Sequence, residues 1–167
     1  GIGSVIKEKK LMNSSIEELA LANEMNTLPD VASGLRQLGY RAKLTDDCIV
    51  SGISVTEENG ESRDFLMLIT EDNGNLHFNC QICTIGDLEK THDENQLAAL
   101  SWVFLALNAE IQPWAIACIN PDGELDSTDA IVLTDSVPLG DFCTGELDSA
   151  MSMLQRALVN VVPTFIN

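Results

Sequence analysis

The stretch Asp64–Thr84, DFLMLITEDNGNLHFNCQICT, decides the fold. Phe65, Met67 and Ile69 alternate with Leu66 and Leu68, so Asp64–Thr70 reads as a strand apolar on both faces, the mark of a central position in a sheet. Asp72-Asn73-Gly74-Asn75 is a hairpin turn, because Asn-Gly is a strong hairpin signal. Phe78, Cys80 and Ile82 then alternate through a second strand over about 76–84. Upstream, a strand over about 47–56 carries Ile49, Ile53 and Val55 on one face, and Glu57-Glu58-Asn59-Gly60 turns it into the central strand. Three antiparallel strands in a row result.

Helices flank this meander. Ser14 with Glu17, and Ser15 with Glu18, each fit a capping box, which predicts a helix from about Ile16 to Met25. Thr27 and Pro29 open another, with Val31, Leu35 and Leu38 on one face and Gly39 past its end. Thr91 with Glu94 suggests a capped helix over about 93–109, apolar on every side: Leu97, Leu100, Phe104 and Leu107 on one, Trp102, Val103 and Leu105 on the other. Such a helix is expected to be covered on both sides. Strands at Trp114–Ile119 and Ala130–Leu133 follow, joined by Asn120-Pro121-Asp122-Gly123. A last helix begins near Thr144, carries the seam Leu147, Met151, Leu154, Leu158 and Val161, and should stop at Pro163. The order α-β-β-β-α-β-β-α implies an α+β fold with an antiparallel sheet packed by helices. Residues 1–13 read as a flexible N-terminal segment, with Met12 a candidate natural start, and 14–167 as one domain.

Charge narrows the function. The chain of 167 residues has 26 acidic and 9 basic side chains, a formal net charge of −17, yet 45% of it is hydrophobic. Such a surface repels nucleic acid and anionic membrane, and accepts a basic or amphipathic protein. No apolar run reaches a membrane span; Leu97–Ala109 is interrupted by Ser101 and Asn108. The opening residues lack the pattern of a signal peptide, and five cysteines, an odd number, fit free thiols, so the sequence points to the cytoplasm.

No passage assembles a catalytic signature, and none calls for a cofactor. Cys80-Gln81-Ile82-Cys83 is a C-x-x-C, a spacing used by redox pairs and zinc sites, but within a strand the two thiols should point to opposite faces and serve as small core residues. His77 and His92 lie beside a turn and a helix cap. The acidic run Asp122, Glu124, Asp126 and Asp129 does not match a calcium-binding EF-hand loop and reads as a solvated hairpin. Trp102, Phe104, Leu105 and the seam Leu147, Met151, Leu154 and Leu158 read first as core; a share of them, drawn from Trp102, Leu105, Met151, Leu154 and Leu158, is the candidate partner or homodimer surface.

The element order resembles that of the YbjN-type proteins, a bacterial family with the fold of type III secretion chaperones. The local passages that carry the resemblance are the helix running into Gly39-Tyr40, the strand pair Phe65–Thr70 and Leu76–Cys83, and Leu105-Ala106-Leu107-Asn108 ending the apolar helix. The hairpin around Ala117–Leu125 and Val137-Pro138-Leu139-Gly140 complete it, over about residues 16–162. The resemblance implies a non-enzymatic domain, commonly a homodimer, with a chaperone-like or regulatory binding role. It carries over no site residue. The alternative is a metal- or redox-dependent protein using Cys80 and Cys83.

Overall fold

The computed structural model describes residues 24–120, 122–140 and 142–165. The helix expected at Ile16–Met25 and the segment 1–13 lie outside these, apart from Glu24 and Met25. Those two residues are extended: Glu24 bridges Cys143, and the Met25 amide donates to the Phe142 carbonyl at 2.8 Å.

Helix α1 (Leu28–Gln37) is capped by Thr27, whose hydroxyl accepts from the Asp30 amide while the Asp30 carboxylate accepts from the Thr27 amide. Gly39 follows in the left-handed region, φ 93°, where a side chain would be strained. Four strands come next: β1 (Arg41–Leu44), β2 (Cys48–Thr56), β3 (Ser62–Asp72) and β4 (Asn75–Thr84). Asn73 (φ 51°) and Gly74 (φ 79°) make the expected hairpin turn, of type I′. At Glu57–Glu61 only Gly60 is left-handed, and its amide donates to the Glu57 carbonyl at 2.9 Å, so this hairpin has a three-residue loop ending in a glycine bulge.

Two short helices or strands escaped the sequence reading. β1 has four residues and little apolar content, too short for alternation to show. Helix α2 (Ile85–Glu89) is one turn capped by Thr84 and Asp87. Helix α3 (Glu94–Glu110) is capped by Asp93 and Gln96 in place of Thr91 and Glu94, because the chain enters the helix two residues later than the expected cap. Strands β5 (Ala115–Ile119) and β6 (Ala130–Pro138) follow, and β6 runs five residues past the expected end. The polar Thr134, Asp135 and Ser136 hide that extension from a hydropathy reading, but their backbones pair with Asn79, Phe78 and His77.

The last helix, α4 (Thr144–Phe165), continues past Pro163. Proline removes one backbone bond there, but Phe165 is buried and stacks on Phe104 with ring centroids 4.3 Å apart, so packing holds the final turn.

All six strands form one antiparallel sheet in the order β1-β2-β3-β4-β6-β5. One face carries the core. Ile49, Ile53, Met67, Ile69, Phe78 and Leu133 pack there with Val31 and Leu35 of α1 and Leu147, Met151, Leu154 and Leu158 of α4. Trp114 is fully buried at the entry to β5, edge-on to Phe78, and its Nε1 donates to the Ala150 carbonyl at 2.9 Å. The opposite face is more open: Leu66 is 44% exposed and Leu68 half-buried, so β3 is central in the sheet without being covered on both faces.

Candidate functional site

The proposed surface residues separate into two groups. Met151, Leu154 and Leu158 have no exposure; they form the seam of α4 that lies on the sheet and are core, in line with their first reading, which removes them from the candidate surface. The seam is buried because the sheet itself supplies the second layer. Trp102 and Leu105 are the reverse, 74% and 62% exposed. Helix α3 is apolar along almost its whole length, yet Leu100 is its one fully buried residue. Among the described residues of this chain nothing covers its outer side, so the second cover expected from the sequence is not supplied by them. An exposed apolar helix of this length marks an interaction surface more often than a solvated one.

Beneath α3 lies a cavity of about 500 Å³, open to solvent and lined mainly by apolar side chains. Phe104, Leu105 and Leu97 form its helix wall; Ile116, Cys118 and Ile131 come from β5 and β6. Leu88 of α2 and Leu125 of the β5–β6 connection close the far end. That end is fixed by backbone bonds: the Ile85 amide donates to the Asp129 carbonyl at 3.0 Å and the Gly86 amide to the Ser127 carbonyl at 2.8 Å. Gly86 is required at this approach, because a Cβ there would stand 2.9 Å from the Ser127 carbonyl oxygen. The volume suits several apolar side chains or a small organic group. Sequence reasoning found the helix wall but not the remainder, because Leu88, Leu125 and Ile131 come together only through the crossing of α2 and the β5–β6 connection.

The cysteine pair behaves as core. β4 has a bulge: Gln81 lies opposite Val132 and Cys83 opposite Ile131, leaving Ile82 as the extra residue. Cys80 lies opposite Leu133, two residues from Ile131 on a regular strand, so the bulge returns Cys83 to the face of Cys80. The expectation of opposite faces is therefore corrected, the inserted residue having changed the parity. Neither thiol ionises readily in this environment. Burial pushes Cys80 up to about 12, and burial, with the Asp87 carboxylate adding to it, pushes Cys83 up to about 12. A metal ligand or redox nucleophile needs the thiolate, which this environment disfavours.

Among the described residues, the one group of three or more metal-ligand side chains brought together is Asp122, Asp126 and Asp129, with ligand atoms within 4.8 Å of one another. Their oxygens are engaged in turn formation: Asp122 Oδ1 accepts from the Glu124 amide at 3.1 Å and Asp129 Oδ2 from the Asp126 amide at 2.9 Å. Hydrogen bonds from Thr128 hold the Asp126 carboxyl below its ordinary value. His77 bonds Ser136 through Nδ1 at 2.8 Å, and His92 Nδ1 lies 2.8 Å from the Thr91 hydroxyl and 3.1 Å from the Leu88 carbonyl. Both histidines serve local structure.

No helix among the described residues is long and apolar enough to cross a membrane. Neither a family model nor a curated protein sequence matches the chain. A solved structure does: YbjN from E. coli, described as a candidate transcription regulator, superposes with a TM-score of 0.52 at 11% sequence identity, over 80% of this chain and 90% of that one. The chain thus has the fold of YbjN, an α+β, type III secretion chaperone-like architecture of a six-stranded antiparallel sheet with four described helices.

Proposed function

We propose that this protein is a non-enzymatic binding module, a chaperone-like or regulatory adaptor that holds an apolar segment of a protein partner in the groove between α3 and β5. The observation that carries the reading is the exposure of Trp102 and Leu105 on an apolar helix that overhangs an apolar cavity. Burial of apolar partner groups supplies the affinity, and the acidic surface steers basic partners toward it. A regulatory role, as described for YbjN, fits this reading through a protein partner, because a net charge of −17 opposes direct contact with phosphates. The Cys80/Cys83 alternative is disfavoured by the burial of Cys80 and the partial burial of Cys83.

Photo-crosslinking tests the reading. A photoreactive residue at Leu105, compared in cells with one at the distant, exposed Asp46, is expected to capture a partner peptide that is apolar with Lys or Arg at its flanks. Equal labelling from both positions would sink it. Crosslinks from Leu105 to a second copy of this chain would assign the surface to a homodimer instead.

A further inference from the structure

Among the described residues β5 is the last strand of the sheet, and one side of its backbone has no neighbouring strand there. At Ile116 that side is closed by a side chain. The Ile116 amide donates to Asn108 Oδ1 at 2.6 Å, and Asn108 Nδ2 donates to the Ile116 carbonyl at a longer 3.5 Å. One carboxamide thus meets both backbone groups, as a residue of a neighbouring strand would. The outward direction recurs every second residue, so Cys118 also turns its N–H and C=O away from β6. Cys118 is exposed and lines the cavity under α3, and no side chain among the described residues takes the role there that Asn108 takes at Ile116.

The surroundings set the chemistry of an occupant. Asp87 and Glu89 flank Leu88, and Glu124 and Asp126 flank Leu125, so two apolar lining residues sit between carboxylates. Lys90 is the neighbouring cation, and it lies 3.9 Å from Asp87.

The geometry points to β5 as a strand-addition site: an extended, basic-flanked segment of a partner protein pairs with the backbone at Cys118 and seats alternate apolar side chains in the cavity under α3. This deepens the binding-module reading and rests on it. An extended occupant is favoured over a helical one because a helix lying in the groove would cover the Cys118 N–H and C=O without pairing them, at a cost in unsatisfied hydrogen bonds. Asn108 acts as the stop that ends the added ladder at Ile116.

The probe is a fluorescein-labelled peptide, Lys-Lys-Val-Thr-Val-Thr-Val-Lys-Lys, followed by anisotropy. Two companions are N-methylated on alternate residues, one on each edge of the extended chain. The parent is expected to bind saturably and one companion about tenfold more weakly, the loss of one or two hydrogen bonds. Asn108→Ala, with an unchanged circular dichroism spectrum, is expected to bind the parent about threefold more tightly, since the Ile116 groups become available. Failure of the parent to saturate, or equal binding by both companions, overturns strand addition whatever the variant does. Equal binding by all three peptides, abolished by Leu105→Glu, would leave the groove as a binding site and remove only the strand mode. Absence of Leu105-specific crosslinks in cells would remove the binding-module reading itself.

Discussion

At the scale of single residues, sequence showed identity but not environment. The C-x-x-C was visible, and its core role was readable from its place in a strand, but the bulge at Ile82 was not. No residue type announces a bulge, so the parity of Cys83 could only be seen in the register. Intact-mass labelling with iodoacetamide at about pH 8 should modify the exposed Cys118 well before Cys80 and Cys83, which are less accessible and whose thiols are pushed up to about 12. Early modification of Cys80 would contradict its burial. Asp135 gives a second residue-scale prediction. It lies opposite Phe78 on β6, and burial raises its carboxyl above the ordinary value, partly offset by a hydrogen bond from the Ser136 amide. The folded state therefore binds this proton more tightly than the unfolded state, and the site loses stability as pH rises through its window. Asp135→Asn should raise Tm at about pH 7, with the advantage fading as pH falls below the ordinary aspartate range of about 4. An equal gain at every pH would place its cause elsewhere.

At the scale of elements, helices and hairpins with strong local signals were legible: Thr27 with Pro29, and Asn73-Gly74, did in the structure what they promise in sequence. The elements that were missed or cut short, β1, α2 and the polar half of β6, are held by pairing and packing with distant segments, which leave no local pattern. The same cause divides the candidate surface. The seam of α4 and the outer side of α3 look alike as strings of apolar residues; only the sheet beneath α4 distinguishes them. Thermal or urea unfolding can measure that distinction. Leu154→Ala should cost about 2–5 kcal/mol, the range for emptying a packed site. Leu105→Ser should change stability by no more than about 0.5 kcal/mol. A large loss at Leu105 would mean that α3 is covered in the folded protein.

At the scale of the whole molecule, the antiparallel α+β architecture followed from the meander around Asp64–Thr84, whereas the six-strand order depended on β6 inserting beside β4. Two ion pairs, Arg63–Glu57 at 2.6 Å and Lys90–Asp87 at 3.9 Å, occur among the described residues, so most carboxylates face only one another's field. Raising sodium chloride from about 0.05 to 0.5 M should therefore raise Tm by screening that repulsion; a fall would show that attractive pairs dominate. Both outer strands are guarded from the helix just before them. Asn108 of α3 closes β5 at Ile116, and Arg36 of α1 donates through Nε to the Ala42 carbonyl of β1 at 3.0 Å. The Arg41 carbonyl accepts from Ser51 on the inner side, so that of Ala42 faces out. Each guard thus precedes its strand in the chain by a few residues, and leaves the ribosome first. A growing chain therefore presents neither strand before the side chain that closes one of its outward positions, a protection against misassembly that acts during synthesis, when the rest of the sheet does not yet exist.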